Sequence, residues 1–270
     1  MGNKELTKTA KEVSKLLQKL PEVKAIAIYG SVAKGVFDEH SDIDIICLST
    51  KVPKITAVKT LLKENKIGIG EIKRTGGLND HAMYVAHFKN REIQILFFSL
   101  YVIENNIKEI KRRGYIFKGE SHVVDKSFYN IILWDPNKIF KRFKTRLKKH
   151  TDSKPYVKNI LWAGVKKFAK GTEVFIALKR GGYIWINSMI NSKLNDYLDC
   201  LYTINGRFFH AGEPKWAFKQ IPAFKYKPKN CVKRLEQISL LGNGPKDLKK
   251  KMRIFKTLIK DTEPLIRKGK

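Results

Sequence analysis

Apolar residues recur at steps of three and four at the start of the chain: Leu6, Ala10, Val13, Leu17 and Leu20. That spacing predicts an amphipathic helix over residues 5–20, with Pro21 following its end. The period then shortens. Residues 24–30, KAIAIYG, form a short apolar run ending in Gly30 and predict a buried strand. Residues 42–48, DIDIICL, alternate acid and apolar before turning wholly apolar, which predicts a second strand. A helix is expected over 54–65. Strands are expected over 84–88 and 92–98, joined by the turn-like Lys89-Asn90-Arg91. A helix over 100–112 and a short strand stopping at Pro136 complete this half.

Beyond residue 137 the two-residue repeat disappears. Helices are predicted over 137–149, 155–180, 183–204, 228–240 and 245–260, the last with an apolar face of Leu248, Met252, Phe255 and Ile259. Gly181-Gly182 and Asn205-Gly206 mark loops. The fold class is therefore α+β: a small mixed-sheet domain over 1–136 followed by an all-helical domain over 137–270.

Composition adds limits. A chain of 270 residues that is 43% hydrophobic and 11% aromatic can bury a core and is not disordered. No apolar run approaches the roughly 20 residues that span a bilayer. The first residues lack the apolar stretch of a signal peptide, and Leu6 stands where a myristoylation motif wants Ser or Thr. Cys47, Cys200 and Cys231 are too far apart to read as a disulfide framework or a zinc site. No histidine pair has metal-ligand spacing. A cytoplasmic protein without a membrane partner is the expectation.

Charge changes the picture more. Fifty-five Lys and Arg face 25 Asp and Glu, a net charge of +30. Lysine-rich thermophile surfaces usually balance Lys with Glu, and here the excess is uncompensated. A polyanion partner, RNA above all, is expected. Residues 137–150, NKIFKRFKTRLKKH, hold seven Lys and Arg and no acid, interleaved with Ile139, Phe140, Phe143 and Leu147. Such a helix suits an RNA backbone, or is a solvated face over a packed stripe.

The chemistry is concentrated in residues 29–48, YGSVAKGVFDEHSDIDIICL. A strand delivers Gly30-Ser31 into a tight turn, where glycine lets backbone approach a phosphate and the serine hydroxyl can bond it. Asp42 and Asp44, two apart on a strand, project to one side. Carboxylates brought together in this way suit a divalent cation such as Mg²⁺.

Gly30, Ser31, Lys34, Gly35, Ser41, Asp42 and Asp44 together resemble the signature of the DNA polymerase beta superfamily of nucleotidyltransferases, in its minimal or antibiotic-type branch. Lys34 stands where the family usually has arginine. The resemblance implies transfer of a nucleoside monophosphate from an NTP to an acceptor hydroxyl, dependent on Mg²⁺ or Mn²⁺. Asp42 and Asp44 would be catalytic metal ligands. Gly30, Ser31, Lys34 and Ser41 would bind nucleotide, with Lys34 equally readable as a solvated lysine. The family places a third acid on a neighbouring strand, and the best-fitting position here is Gln94. Glu92, one pleat earlier, is the candidate replacement; an acid from the second half, or an impaired enzyme, are the alternatives.

A weaker resemblance covers 201–224, which looks like segments of aminoglycoside- and lincosamide-type nucleotidyltransferases at Asn205, Arg207, Lys215 and Trp216. It implies that Arg207 and Lys215 contact triphosphate or acceptor, while Phe208 and Trp216 read equally as core. The acceptor is expected to be RNA or tRNA on grounds of charge. Alternatives are a protein side chain, a small antibiotic-type molecule, or a module that binds nucleotide or nucleic acid without transfer.

Overall fold

Apolar residues at alternate positions place six segments of the first half in one mixed sheet in the computed structural model, which describes residues 3–74, 81–113, 126, 130–148, 161–207, 209 and 213–268. The strands are β1 (Val23–Ile28), β2 (Ile43–Ser49), β3 (Gly68–Arg74), β4 (His81–Phe88), β5 (Arg91–Ser99) and β6 (Ile131–Trp134). Their order is β3-β4-β5-β2-β1-β6. β2 and β5 run parallel, and the other neighbours are antiparallel.

Helix α1 (Asn3–Leu17) and helix α3 (Ile55–Glu64) supply apolar faces to one core. Leu6, Ala10, Val13 and Leu17 of α1 share it with Ile26, Ile28, Ile43, Ile45, Cys47 and Ile95. The intervening residues Ala25, Ala27, Ile46, Leu48, Leu96 and Phe98 are buried too, and by the two-residue repeat they belong to the opposite face. Helix α4 (Leu100–Arg113) packs on β5, and α5 (Ile139–Lys148) on β1. Both bury an apolar stripe, Ile103 and Ile107 in one and Phe140 and Phe143 in the other. The predicted stripe of the basic segment 137–150 is thus a packed one.

Two local features of the sheet differ from the sequence pattern. The β4–β5 turn has two residues, not three: Lys89 and Asn90 both adopt positive φ, of 50° and 58°, and Arg91 already pairs with Phe88. Such a turn matches the twist of the flanking strands. Strand β3 was not expected, because Gly68 and Gly70 dilute its apolar alternation; its pairing with β4 supplies what propensity lacks.

The chain divides into units of residues 1–151 and 152–270. Helix α5, grouped by pattern with the helical half, falls in the first unit. The Asp135 carboxylate accepts the Ile139 and Phe140 N–H groups at 2.7 and 3.0 Å, fixing the start of α5 directly after β6.

The described residues of the second unit form no strand. They fold into α6 (Trp162–Lys170), α7 (Thr172–Lys179), α8 (Tyr183–Ile204), α9 (Ala217–Gln220), α10 (Cys231–Leu240) and α11 (Pro245–Lys268), with a 3₁₀ turn at Glu213–Trp216. The single helix expected over 155–180 is broken at Gly171, whose φ of +81° ends α6 and starts α7. Residues 155–160 lie outside the described residues. Helix α11 runs past the expected end at 260, because Leu258, Thr262 and Ile266 continue its buried face. Phe255 packs at the centre against Phe168 in a tilted contact and against Tyr197 edge to face, and the Tyr197 hydroxyl lies 3.0 Å from Thr262 Oγ1. No helix among the described residues is long and apolar enough to cross a membrane.

Candidate functional site

The site begins where β1 ends. Tyr29 donates its backbone N–H to the Asp44 carbonyl at 3.0 Å, tying the turn to β2. Helix α2 (Gly30–Lys34) follows and stops at Gly35, which is left-handed at φ 69°. Gly30 is itself left-handed at φ 70°, and a Cβ placed on it would lie 1.9 Å from Asp44 Oδ2. No other residue fits there without displacing that carboxylate. The turn and the acid are therefore one construction, joined by backbone pairing and by the absence of a side chain.

Ser31 opens α2. It is 6% exposed, and its hydroxyl has no hydrogen-bond partner among the described residues. A buried hydroxyl without a partner carries a desolvation cost that a bound acceptor would remove. Lys34, in the last turn of α2, is half-buried.

Asp42 and Asp44 flank Ile43 at the start of β2. Ile43 and Ile45 enter the core with α1 and α3, so alternation puts both carboxylates on the other face, half-buried. β5 runs alongside and pairs Gln94 with Asp44. The Gln94 side chain donates Nε2–H to Asp42 Oδ2 at 2.6 Å and to Glu92 Oε1 at 3.1 Å. A neutral amide thus stands between two acids and holds one oxygen of Asp42. Glu92 is exposed and reaches the group through Gln94. Among the described residues, no three of His, Cys, Asp and Glu gather as a metal-ligating cluster.

Two residues outside the sequence expectation complete the arrangement. The Tyr29 hydroxyl hydrogen-bonds Asp44, and burial, then the negative charges of Asp44 and Asp42, push its pKa well above the usual phenol range. The phenol therefore stays protonated and donates to Asp44 at neutral pH. Lys126 Nζ lies over the Tyr29 ring at 4.9 Å and the Phe98 ring at 5.8 Å. Tyr29 could have been found from its position immediately before Gly30-Ser31. Lys126 carries no signal in sequence.

Ser41 is held inside the loop that leads to Asp42. Its Oγ donates to Asp38 Oδ1 at 3.2 Å and accepts the Asp38 N–H at 2.9 Å. His40 N–H also bonds Asp38 Oδ1, at 3.2 Å. The hydroxyl shapes the loop.

The structure thus brings Gly30, Ser31, Asp42, Asp44 and Glu92 to one strand-end region. Arg207 and Lys215 lie in the second unit. There Arg207 stacks over the Phe224 ring at 5.3 Å and Lys215 lies over Trp216 at 5.5 Å. Asn205 is a clamp: it donates to the Leu201 and Tyr226 carbonyls and accepts the Tyr226 N–H, at 2.8, 2.9 and 2.9 Å. Trp216 is half-buried; Phe208 and His210 lie outside the described residues.

No curated protein matches the chain. Among solved structures, a nucleotidyltransferase-like protein from Exiguobacterium sibiricum 255-15 is similar at 11% identity and a TM-score of 0.41, over 99% of this chain and 75% of that one. A likeness at that score carries no argument. The model of the nucleotidyltransferase domain family matches residues 6–149, more than half of the chain, and spans the whole sheet and every residue from Tyr29 to Gln94 described above. The chain belongs to the nucleotidyltransferase domain family and is a nucleotidyltransferase.

Proposed function

We propose that this enzyme moves a nucleoside monophosphate from an NTP to an acceptor hydroxyl on RNA, with Mg²⁺ or Mn²⁺ bound at Asp42 and Asp44. The observation that carries this reading is the junction of Gly30 with Asp44, where the bare glycine backbone lies against the Asp44 carboxylate and the next residue, Ser31, buries a hydroxyl with no partner among the described residues. Those residues fit a metal–triphosphate: hard oxygen ligands for the cation, and an unused hydroxyl and a glycine turn for the phosphates. When bound, the cation would offset the charge of the triphosphate and stabilise the departing pyrophosphate.

The chain's own residues divide the remaining work. Ser31 donates to a phosphate oxygen, and Lys34 adds positive charge at the end of α2. Tyr29 orients Asp44 from one side. Gln94 holds Asp42 Oδ2 from the other. A carboxamide cannot accept a proton from the acceptor, so Glu92 is assigned as the base. Ser41 supports Asp42 through its loop. Arg207 and Lys215 are assigned to the triphosphate or the acceptor, and the charge of +30 favours an RNA acceptor over a small cationic one.

A second reading, a module that binds nucleotide without transferring it, is favoured by Gln94 itself. Incubation with Mg²⁺ and each α-phosphate-labelled NTP, with and without total tRNA, separates the two. The proposal expects label on RNA, lost in Asp42→Ala and Asp44→Ala and reduced in Glu92→Gln. Salt-sensitive RNA binding with no transfer to any acceptor would establish the module instead.

A further inference from the structure

The helical unit contains a cleft of about 450 Å³ between the end of α6, helix α7 and helix α11. Its lining includes the apolar Phe175 and Met252 and four cations, Lys170, Lys249, Arg253 and Lys256, with no carboxylate. All four cations are exposed. None has a carboxylate partner among the described residues, although other basic residues of this unit do, as in Lys166–Glu263 and Arg234–Asp261. Lys249, Arg253 and Lys256 follow one another at steps of four and three along α11 and so share a face. At the rise of an α-helix they form a row about 10 Å long.

Phe175 is the second unusual feature. It is 57% exposed at the cleft, and Lys179 Nζ lies 4.6 Å from its ring centroid. Exposed phenylalanine costs free energy that a stacked partner would recover. An acyl chain would need enclosure, and a wall that leaves Phe175 mostly exposed does not give it. A single carboxylate would engage one or two of the cations and leave the rest unused. A planar base beside a run of phosphates uses both the ring and the whole row.

We propose that this cleft binds a single-stranded segment of RNA, with a base stacked on Phe175 and consecutive phosphates on Lys249, Arg253, Lys256 and Lys170. The inference rests on the RNA reading of the acceptor and gives it a location in the helical unit. None of the residues proposed to hold nucleotide lines the cleft.

The test is fluorescence-anisotropy titration of the full chain with a short fluorescein-labelled single-stranded RNA, from low to high salt. Wild type, the double variant Lys249→Gln/Arg253→Gln, and Phe175→Ala are compared. Wild-type affinity should fall steeply with salt. The double variant should lower the log–log slope by about 1.4, two phosphate contacts at roughly 0.7 each. Phe175→Ala should weaken binding about 5- to 150-fold with the slope unchanged. Because these side chains are exposed, all variants should keep the wild-type melting temperature and Mg²⁺-dependent NTP binding.

Equal RNA affinity and slope in all three proteins would overturn the cleft while leaving the RNA reading standing. Failure of wild type to bind RNA, with NTP binding and transfer to a non-RNA acceptor intact, would overturn both. Binding of a fluorescent fatty acid that RNA does not displace, and that Phe175→Ala abolishes, would assign the cleft to an amphiphile and overturn the proposal.

Discussion

The start of β2 and the core of the helical unit use polar groups in different ways. Around Asp44, Tyr29 and Gln94 steer the two carboxylates, the Ser31 hydroxyl has no partner among the described residues, and Gly30 lacks a side chain where the Asp44 carboxylate comes close. In the helical unit, polar side chains brace the packing. The Tyr197 hydroxyl meets Thr262, and Asn205 spends both ends of its amide on backbone. The first arrangement gathers two carboxylates and an unmet hydroxyl at a half-buried strand end, where a ligand can meet them. The second joins packed elements to one another and contributes stability, even though Gln220 Nε2 and Arg234 Nε are buried there without a partner among the described residues. Unmet polar atoms alone therefore do not mark a site; their convergence with paired acids at an accessible strand end does.

Substitutions can break this contrast. The largest effect is expected from Asp44→Ala, which should lower nucleotidyl transfer about 10²–10³-fold or more while the urea midpoint stays within experimental error of wild type. Phe255→Ala should do the reverse. Urea unfolding should show a loss of about 3–5 kcal/mol, with the rate of transfer per folded molecule retained. Gly30→Ala comes next: the forced shift of Asp44 should cost about a hundredfold in activity, and the left-handed backbone about 1–2 kcal/mol in stability. Asn205→Ala should cost about 1–3 kcal/mol in the same unfolding assay, because the Tyr226 N–H and carbonyl lose their partner. The smallest change is expected from Gln94→Leu, about tenfold in transfer through freer motion of Asp42, as removal of a hydrogen bond to a charged group predicts. A Gln94→Leu effect on stability larger than its effect on rate would erase the contrast.

Sequence pattern carried most of this architecture, for identifiable reasons. Helix α1 buries one face, so its period was visible in Leu6-Ala10-Val13-Leu17, while β1, β2 and β5 bury both faces and so stood out as short apolar runs, as in residues 43–48. Strand β3 was hidden by Gly68 and Gly70, and the break at Gly171 by apolar residues on both sides of it. Gly30, Ser31, Asp42 and Asp44 stood out because close backbone approach and paired acids require fixed spacing. The Gln94 bridge was half legible: the position was evident, but its bond to Asp42 depends on the parallel pairing of β2 with β5, which joins residues 50 apart. Tyr29 and Lys126 could not be assigned by period at all, since one acts through a hydroxyl at a strand end and the other arrives from a distant segment.

The central claim is that Asp42 and Asp44 with the Gly30-Ser31 turn make a metal-dependent nucleotide site. Titration calorimetry of ATP and the other NTPs into wild type, Asp44→Asn and Ser31→Ala, each with and without Mg²⁺, tests it most directly. The account predicts tight binding of at least one NTP to wild type only when Mg²⁺ is present, no Mg²⁺ dependence in Asp44→Asn, and weaker binding in Ser31→Ala with the dependence kept. NTP binding that is the same in all three proteins, with or without Mg²⁺, would contradict it.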